Sequence, residues 1–261
     1  SIANPIIKAV SLTGSEQAGI AVATEAGKHL KKCVLELGGS NAFIILEDVN
    51  LEKAVAKAVN ARMQNAGQSC IAAKRFLVHE KIVDEFVAKF KVAIQNLKTG
   101  NPLDKETQIG SLARVDLAEE LELQVQKSIQ MGAKLIVGGN GKDAFYEPTI
   151  LTNVTTEMPV FKEETFGPVA AIITFKTIEE AIKLSNQSEF GLGVSIFTQD
   201  IDFIKTKIPS FNEGAVFINE MVKSDPRLPF GGIKKSGYGR ELAEDGIKEF
   251  VNVKTVVINT F

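Results

Sequence analysis

Short apolar runs recur along this chain, each followed by a longer stretch whose apolar positions fall at helical spacing, and that alternation limits the folds open to it. The runs cover residues 6–12, 33–37, 42–46, 75–79, 134–137, 170–175, 194–198 and 215–219. A strand buried on both faces reads as a continuous apolar run, and strands joined through helices can pair in parallel. The pattern therefore predicts an α/β fold with a mostly parallel sheet. Thr13, Gly14 and Ser15 predict a tight turn into a helix reaching Lys32. Asp48 or Asn50 predicts a cap for a helix through Asn65, with Leu51, Ala54, Val55, Ala58, Val59 and Met63 on one packed face. Further helices are predicted over residues 81–97 and 112–131, from Thr177 to Ser188, from Asp200 to Pro209, and up to Phe250. The last alternating stretch, residues 251–258, has no local partner and predicts a strand on another subunit's sheet.

With 261 residues, 44% of them hydrophobic, the chain can bury the core of one large domain or two smaller ones. A formal charge of -2 removes the usual reason to expect nucleic acid or an acidic membrane as partner. No run reaches the roughly 20 apolar residues of a membrane-spanning helix, and SIANPIIKAV lacks a signal peptide's basic end and apolar core. There is no initiator Met, so a fragment, a processed product or the ordered part of something longer is expected. Cys33 and Cys70, the only cysteines, make no disulfide framework; a reducing, cytoplasmic setting is the simpler reading, with a single bridge still compatible. His29 and His79 are the only histidines, which leaves little material for a metal cluster or a Ser-His-Asp triad, and no metal is expected. His79, at an element boundary before charged residues, is expected to be solvated, as are Lys234 and Lys235.

The octapeptide MQNAGQSC, Met63 to Cys70, presents a cysteine behind a glycine-containing turn. A free cysteine is more often an inert packed residue than a nucleophile, but Gly67 frees the backbone here, and Gln68 and Ser69 are unlike core neighbours. Upstream, alternation puts Val34 and Glu36 on one strand face and Cys33, Leu35 and Leu37 on the other. A carboxylate buried in such a run needs hydrogen bonds or an upward pKa shift; otherwise it marks a solvated strand end. Gly14 and Ser15, at a helix N-terminus, can offer free N–H groups to a phosphate or ribose, although ordinary helix caps use the same residues. No complete GxGxxG is present.

Taken together, SLTGS, LELGGSNA, MQNAGQSC, KEETFGPV and PFGGIKKSGYGRE resemble the aldehyde dehydrogenase superfamily, in the right order and across nearly the whole chain. The resemblance implies Cys70 as nucleophile and Glu36 as general base. It implies Glu164 and Phe166 as contacts to the nicotinamide ribose and ring of NAD or NADP, and Gly14 and Ser15 as part of the dinucleotide site. Phe230 would line the substrate end, and Glu241 would support a polar network. The chemistry implied is a thiohemiacetal on Cys70, hydride loss to leave a thioester, and hydrolysis by water that Glu36 activates. The Cys70 N–H would serve as an oxyanion donor. A base at Glu36 sets the chain apart from the coenzyme A-acylating branch and favours a free acid as product.

By the same resemblance, residues 1–38 are expected to end a dinucleotide-binding domain, 39–235 to form the catalytic domain, 236–250 to return to the nucleotide-binding part, and 251–261 to supply an oligomerisation strand. Family members carry a long preceding segment with most of the nucleotide domain and an asparagine that completes the oxyanion hole, so residues 1–261 alone are expected to oxidise aldehydes poorly. The stretch SDPRLPFGGIKKSGYGREL is similar to the succinate-semialdehyde dehydrogenase branch, with Ser224 or Arg227 receiving a distal carboxylate and Gln64 and Ser69 near the substrate. Some relatives in that branch have arginine where this chain has Gln64. Another small aliphatic or hydroxylated aldehyde, or an inactive assembly or nucleotide-binding module, is the alternative. A homodimer or homotetramer is expected.

Overall fold

In chain order the elements are β1 (Ala9–Thr13), α1 (Glu16–Lys28), β2 (Lys32–Glu36), β3 (Asn41–Ile45), α2 (Leu51–Met63), β4 (Ala73–His79), α3 (Val83–Gln95), α4 (Val115–Gln130) and β5 (Lys134–Val137). They continue with β6 (Gly141–Lys142), β7 (Phe145–Tyr146), β8 (Thr149–Thr152), α5 (Pro159–Lys162), β9 (Val169–Phe175), α6 (Ile178–Asn186), β10 (Phe190–Gly191) and β11 (Val194–Phe197). The series closes with α7 (Ile201–Lys207), β12 (Val216–Ile218), β13 (Ile233–Lys234), β14 (Gly237–Tyr238) and α8 (Ala243–Lys248). They come from a computed structural model that describes all residues, Ser1–Phe261.

Two sheets carry the architecture. The larger has the strand order β12-β11-β3-β4-β9-β8-β5, parallel throughout except for the antiparallel β5–β8 pair. The smaller pairs β1 with β2 in parallel and β2 with β14 in antiparallel. An α/β fold with a mostly parallel sheet is thus present. Strand alternation assigns the helices to opposite faces of the large sheet: Phe76 of β4 packs its ring against Phe86 and Phe90 of α3, whereas its neighbour Arg75 reaches the Leu184 and Ser185 carbonyls of α6. The apolar stripe of α2 joins the main core as its spacing predicts, Met63 included. The caps follow the side chains available: Ser15 accepts from Ala18 N–H, Asn50 from Lys53 N–H and Thr177 from Glu180 N–H.

Several expectations are corrected. The first helix stops at Lys28 rather than Lys32, because Leu30 turns left-handed (φ 53°) and the chain must enter β2. The second stops at Met63 rather than Asn65, where the backbone again turns left-handed. Residues 112–114 precede α4 instead of joining it; the Leu112 N–H is taken by the Ala144 carbonyl. His79 is buried: its Nε2 lies 3.0 Å from the Lys176 carbonyl, and its ring meets Phe175 edge-on. Apart from these corrections, residues 251–261, expected as a strand on another subunit's sheet, pair with no strand of their own chain. They are exposed throughout, with Val253, Val256, Val257, Ile258 and Phe261 outward, since a strand requires a ladder partner. No helix is long and apolar enough to cross a membrane.

Candidate active site

The loop that ends in Cys70 is built from an unusual backbone. After Met63 the chain makes a 3-10 turn, Gln64–Gly67, in which Asn65 (φ 51°), Ala66 (φ 52°) and Gly67 (φ 75°) are all left-handed. Gly67 is needed twice over: its φ favours glycine, and a Cβ there would lie 2.2 Å from the Gly167 carbonyl oxygen. Arg62, wholly buried, clamps the loop from below by donating to the Gly67, Ala73 and Thr165 carbonyls at 2.6, 2.9 and 3.4 Å. Gln68 locks the outer side. Its Nε2 donates to the Asn65 carbonyl, and its Oε1 accepts from Ala113 N–H at 2.8 Å.

Gly38 and Gly39 join β2 to β3 and form the meeting point of the site. A Cβ on Gly38 would fall 2.2 Å from Glu164 Oε2, and one on Gly39 2.7 Å from the Cys70 carbonyl oxygen. The absence of side chains lets both groups close in on the backbone. Glu164 Oε1 accepts from Gly39 N–H and pairs with Lys74 Nζ, each at 3.0 Å. Asn41 spans the gap behind, donating from Nδ2 to the Cys70 carbonyl at 3.2 Å and accepting on Oδ1 from Gly193 N–H at 3.1 Å.

Glu36, at the end of β2, is 4% exposed, and neither carboxylate oxygen finds a hydrogen-bond partner. Burial, with Glu241 adding like charge, pushes its pKa up to about 7 despite the nearby Arg240 guanidinium. Burial also pushes the Cys70 thiol up, and the Glu164 and Glu36 carboxylates act in the same sense; Lys74 opposes them. A carboxyl poised near neutrality beside a partly buried thiol is the equipment of acyl transfer followed by hydrolysis.

The remaining sequence-derived residues divide into two groups. Phe230 is buried in a small apolar cluster with Leu192 and Val222, against which Cys70 and Ile71 pack, and its backbone exchanges hydrogen bonds with Glu241 at 2.8 and 2.7 Å. Ser69 adjoins Cys70, its carbonyl held by Lys74. Gln64 sits part-buried on the 3-10 turn, with its Nε2 unpaired. By contrast, Ser224 and Arg227 lie on an exposed loop, where Arg227, 85% exposed, forks onto Asp225 at 2.9 and 2.6 Å. Gly14 and Ser15 occupy an exposed turn; Gly14 N–H donates to the Glu36 carbonyl, and the Ser15 hydroxyl is the α1 cap. Phe166 is 38% exposed, two residues beyond Glu164. Sequence reasoning missed Lys74, Asn41 and Arg62. The available signal was Lys74 beside Arg75 in the apolar run IAAKRFLVH, since charge inside such a run must find partners.

A model of the aldehyde dehydrogenase family matches residues 2–256. The chain belongs to that family. Over 253 residues this family member is 51% identical to the succinate semialdehyde dehydrogenase [NAD(P)+] Sad of Escherichia coli strain K12, a match covering 96% of the chain and 55% of the relative. It is 50% identical to a probable succinate-semialdehyde dehydrogenase [NADP(+)] of Synechocystis, over 98% of the chain and 57% of that protein. Among solved structures, the Streptococcus pyogenes succinic semialdehyde dehydrogenase in complex with NADP+ superposes with a TM-score of 0.95 at 40% identity. That match covers 99% of this aldehyde dehydrogenase chain and 58% of the other. The chain thus spans a little over half the length of the curated relatives it matches.

Proposed function

We propose that the protein carrying this chain oxidises a small aldehyde, succinate semialdehyde first among them, to the free carboxylic acid with NAD or NADP. The observation that carries this reading is the meeting of Cys70 and Glu164 at the side-chain-free Gly38–Gly39 corner, with the buried Glu36 carboxyl near enough for its charge to act on the Cys70 thiol. Cys70 adds to the aldehyde carbon and holds it as a thiohemiacetal, then as a thioester. Its N–H stands ready for the developing oxyanion. Glu36 takes a proton from the water that hydrolyses the thioester, a task suited to a carboxyl near neutrality. The residues present fit a nicotinamide riboside: Glu164 offers a carboxylate able to accept from both ribose hydroxyls, and Phe166 an exposed ring beside it. When bound, that group supplies the hydride acceptor.

The two strand systems support the expected division into residues 1–38, 39–235, 236–250 and 251–261. Residues 237–238 return to pair with β2, which belongs to the first segment, and the unpaired tail is free to add to a second copy in a homodimer or homotetramer.

Succinate semialdehyde rests on the named relatives. Another small aliphatic or hydroxylated aldehyde is favoured by a specific observation: Arg227 already spends its fork on Asp225, and Gln64 stands where some relatives have arginine. Initial rates of nicotinamide reduction by the natural protein separate the readings. A kcat/KM for succinate semialdehyde well above that for butyraldehyde is expected; the reverse order removes the carboxylate site. Cys70→Ala should form no reduced nicotinamide. Glu36→Gln should release about one equivalent per subunit and then stall, because only the thioester's hydrolysis needs the base; full turnover by this variant would remove Glu36 from the mechanism.

A further inference from the structure

Lys74 is the second residue of β4, and its side chain is 0% exposed. An ammonium has three donors, and this one has three acceptors: the Ser69 carbonyl at 2.9 Å, the Cys70 carbonyl at 3.3 Å and Glu164 Oε1 at 3.0 Å. Resting on the reading of Cys70 as nucleophile, we propose that Lys74 is its positioning residue: the ammonium aims the Cys70 N–H toward the reacting oxygen and supplies the cation that stabilises the thiolate.

The aim follows from peptide geometry. The chain has no cis peptide bond, and in a trans peptide the N–H points opposite to the C=O that precedes it. Lys74 at 2.9 Å, together with the Ala72 N–H at 3.2 Å, holds the Ser69 carbonyl, so the Cys70 N–H faces away from Lys74. That N–H donates no hydrogen bond within the chain and is left for a ligand oxygen. The next peptide is fixed by the same hand. The Cys70 carbonyl accepts from both Lys74 and Asn41, so the nucleophile's residue is held on either side of its α-carbon.

The charge argument is equally local. Of the charged groups acting on Cys70, Glu164 and Glu36 disfavour the thiolate and Lys74 alone favours it. Lys74 in turn faces Glu164, Arg62 and Cys70. Burial pulls its pKa down to about 8, with Glu164 holding it up against Arg62, so the cation is present at neutral pH and fades above it. Any buried ammonium must fill its three donors, and here two of the three acceptors are the peptides on either side of the Cys70 α-carbon.

Two variants separate the charge from the donors. Lys74→Gln keeps N–H donors and loses the cation; Lys74→Met loses both, and each side chain is close to lysine in length. In the natural protein, the pH dependence of iodoacetamide alkylation, read at the Cys70 peptide by mass spectrometry, reports the thiolate without any cofactor. Both variants should move the midpoint upward and slow alkylation at neutral pH by about tenfold, the equivalent of one pKa unit. Lys74→Met should in addition lower the rate of the first turnover at a pH where its thiol is ionised, with Lys74→Gln retaining more. Alkylation profiles superimposed on the parent's overturn the inference. So does loss of fold in both variants, judged by thermal melting, because Lys74 would then be a general core residue. A parent protein that shows the lysine-dependent thiol but oxidises no aldehyde would overturn the proposed function and leave the Lys74 assignment standing.

Discussion

Glu36 shows what a single buried carboxyl does to both stability and rate. Its pKa rises in the fold from the ordinary 4.5 to about 7, so between those values the folded chain binds more protons than the unfolded one. The stabilising contribution is therefore full below pH 4.5 and is lost as pH rises through 7. Glu36→Gln removes that slope and should raise stability at pH 8 by about 1–3 kcal/mol, measured by denaturant unfolding at a series of pH values. Thioester hydrolysis by the parent should rise with pH along a limb centred near 7; a flat limb there would assign the proton transfer to another group. Residues of this kind differ in how far the sequence discloses them. Cys70 stands out because glycine and polar neighbours surround it, and Glu36 because it interrupts an apolar strand. Lys74 carries a weaker signal, a charge inside an apolar run, and Arg62 less still, since a single basic residue on a helix reads as solvated until the fold encloses it. Ser224 and Arg227 show the converse, for the side chain that looks fit to bind a carboxylate is already paired to Asp225.

The strand and helix series can be read from periodicity because each element buries one continuous run or stripe. Its ends are less legible, being set by left-handed residues such as Leu30, Asn65 and Ala66, whose types do not announce that conformation. The two-residue antiparallel pairs β6–β7 and β10–β13 have too few residues for any period to show. The left-handed turn before Cys70 makes the sharpest prediction for an element. Gly67→Ala meets both an adverse φ and the Gly167 backbone, and neither can give way cheaply. A loss of about 2–4 kcal/mol is expected by chemical denaturation, together with altered Cys70 alkylation. Near-parent stability would mean that the 3-10 turn repacks freely.

Across the whole molecule, the large sheet closes its apolar content between helices on both faces, while the tail leaves six apolar side chains in solvent. The tail's alternation, expected as a strand on another subunit's sheet, has no ladder partner in one copy. Deleting residues 251–261 should shift the natural protein toward a smaller species in light scattering, with the melting temperature falling as the assembly dissociates. An unchanged mass would place the assembly surface elsewhere.

The Gly38–Gly39 corner also has a mechanical meaning. Glu36 rides on the three-stranded sheet and the Cys70 loop is anchored to the seven-stranded one, so the two halves of the chemistry belong to different layers. The separation of the proposed base, Glu36, from the proposed nucleophile, Cys70, is therefore a property of how the layers sit against each other. A distant substitution that tilts one layer by a fraction of an ångström can leave formation of the thioester untouched and slow its release, so the two half-reactions can be tuned independently.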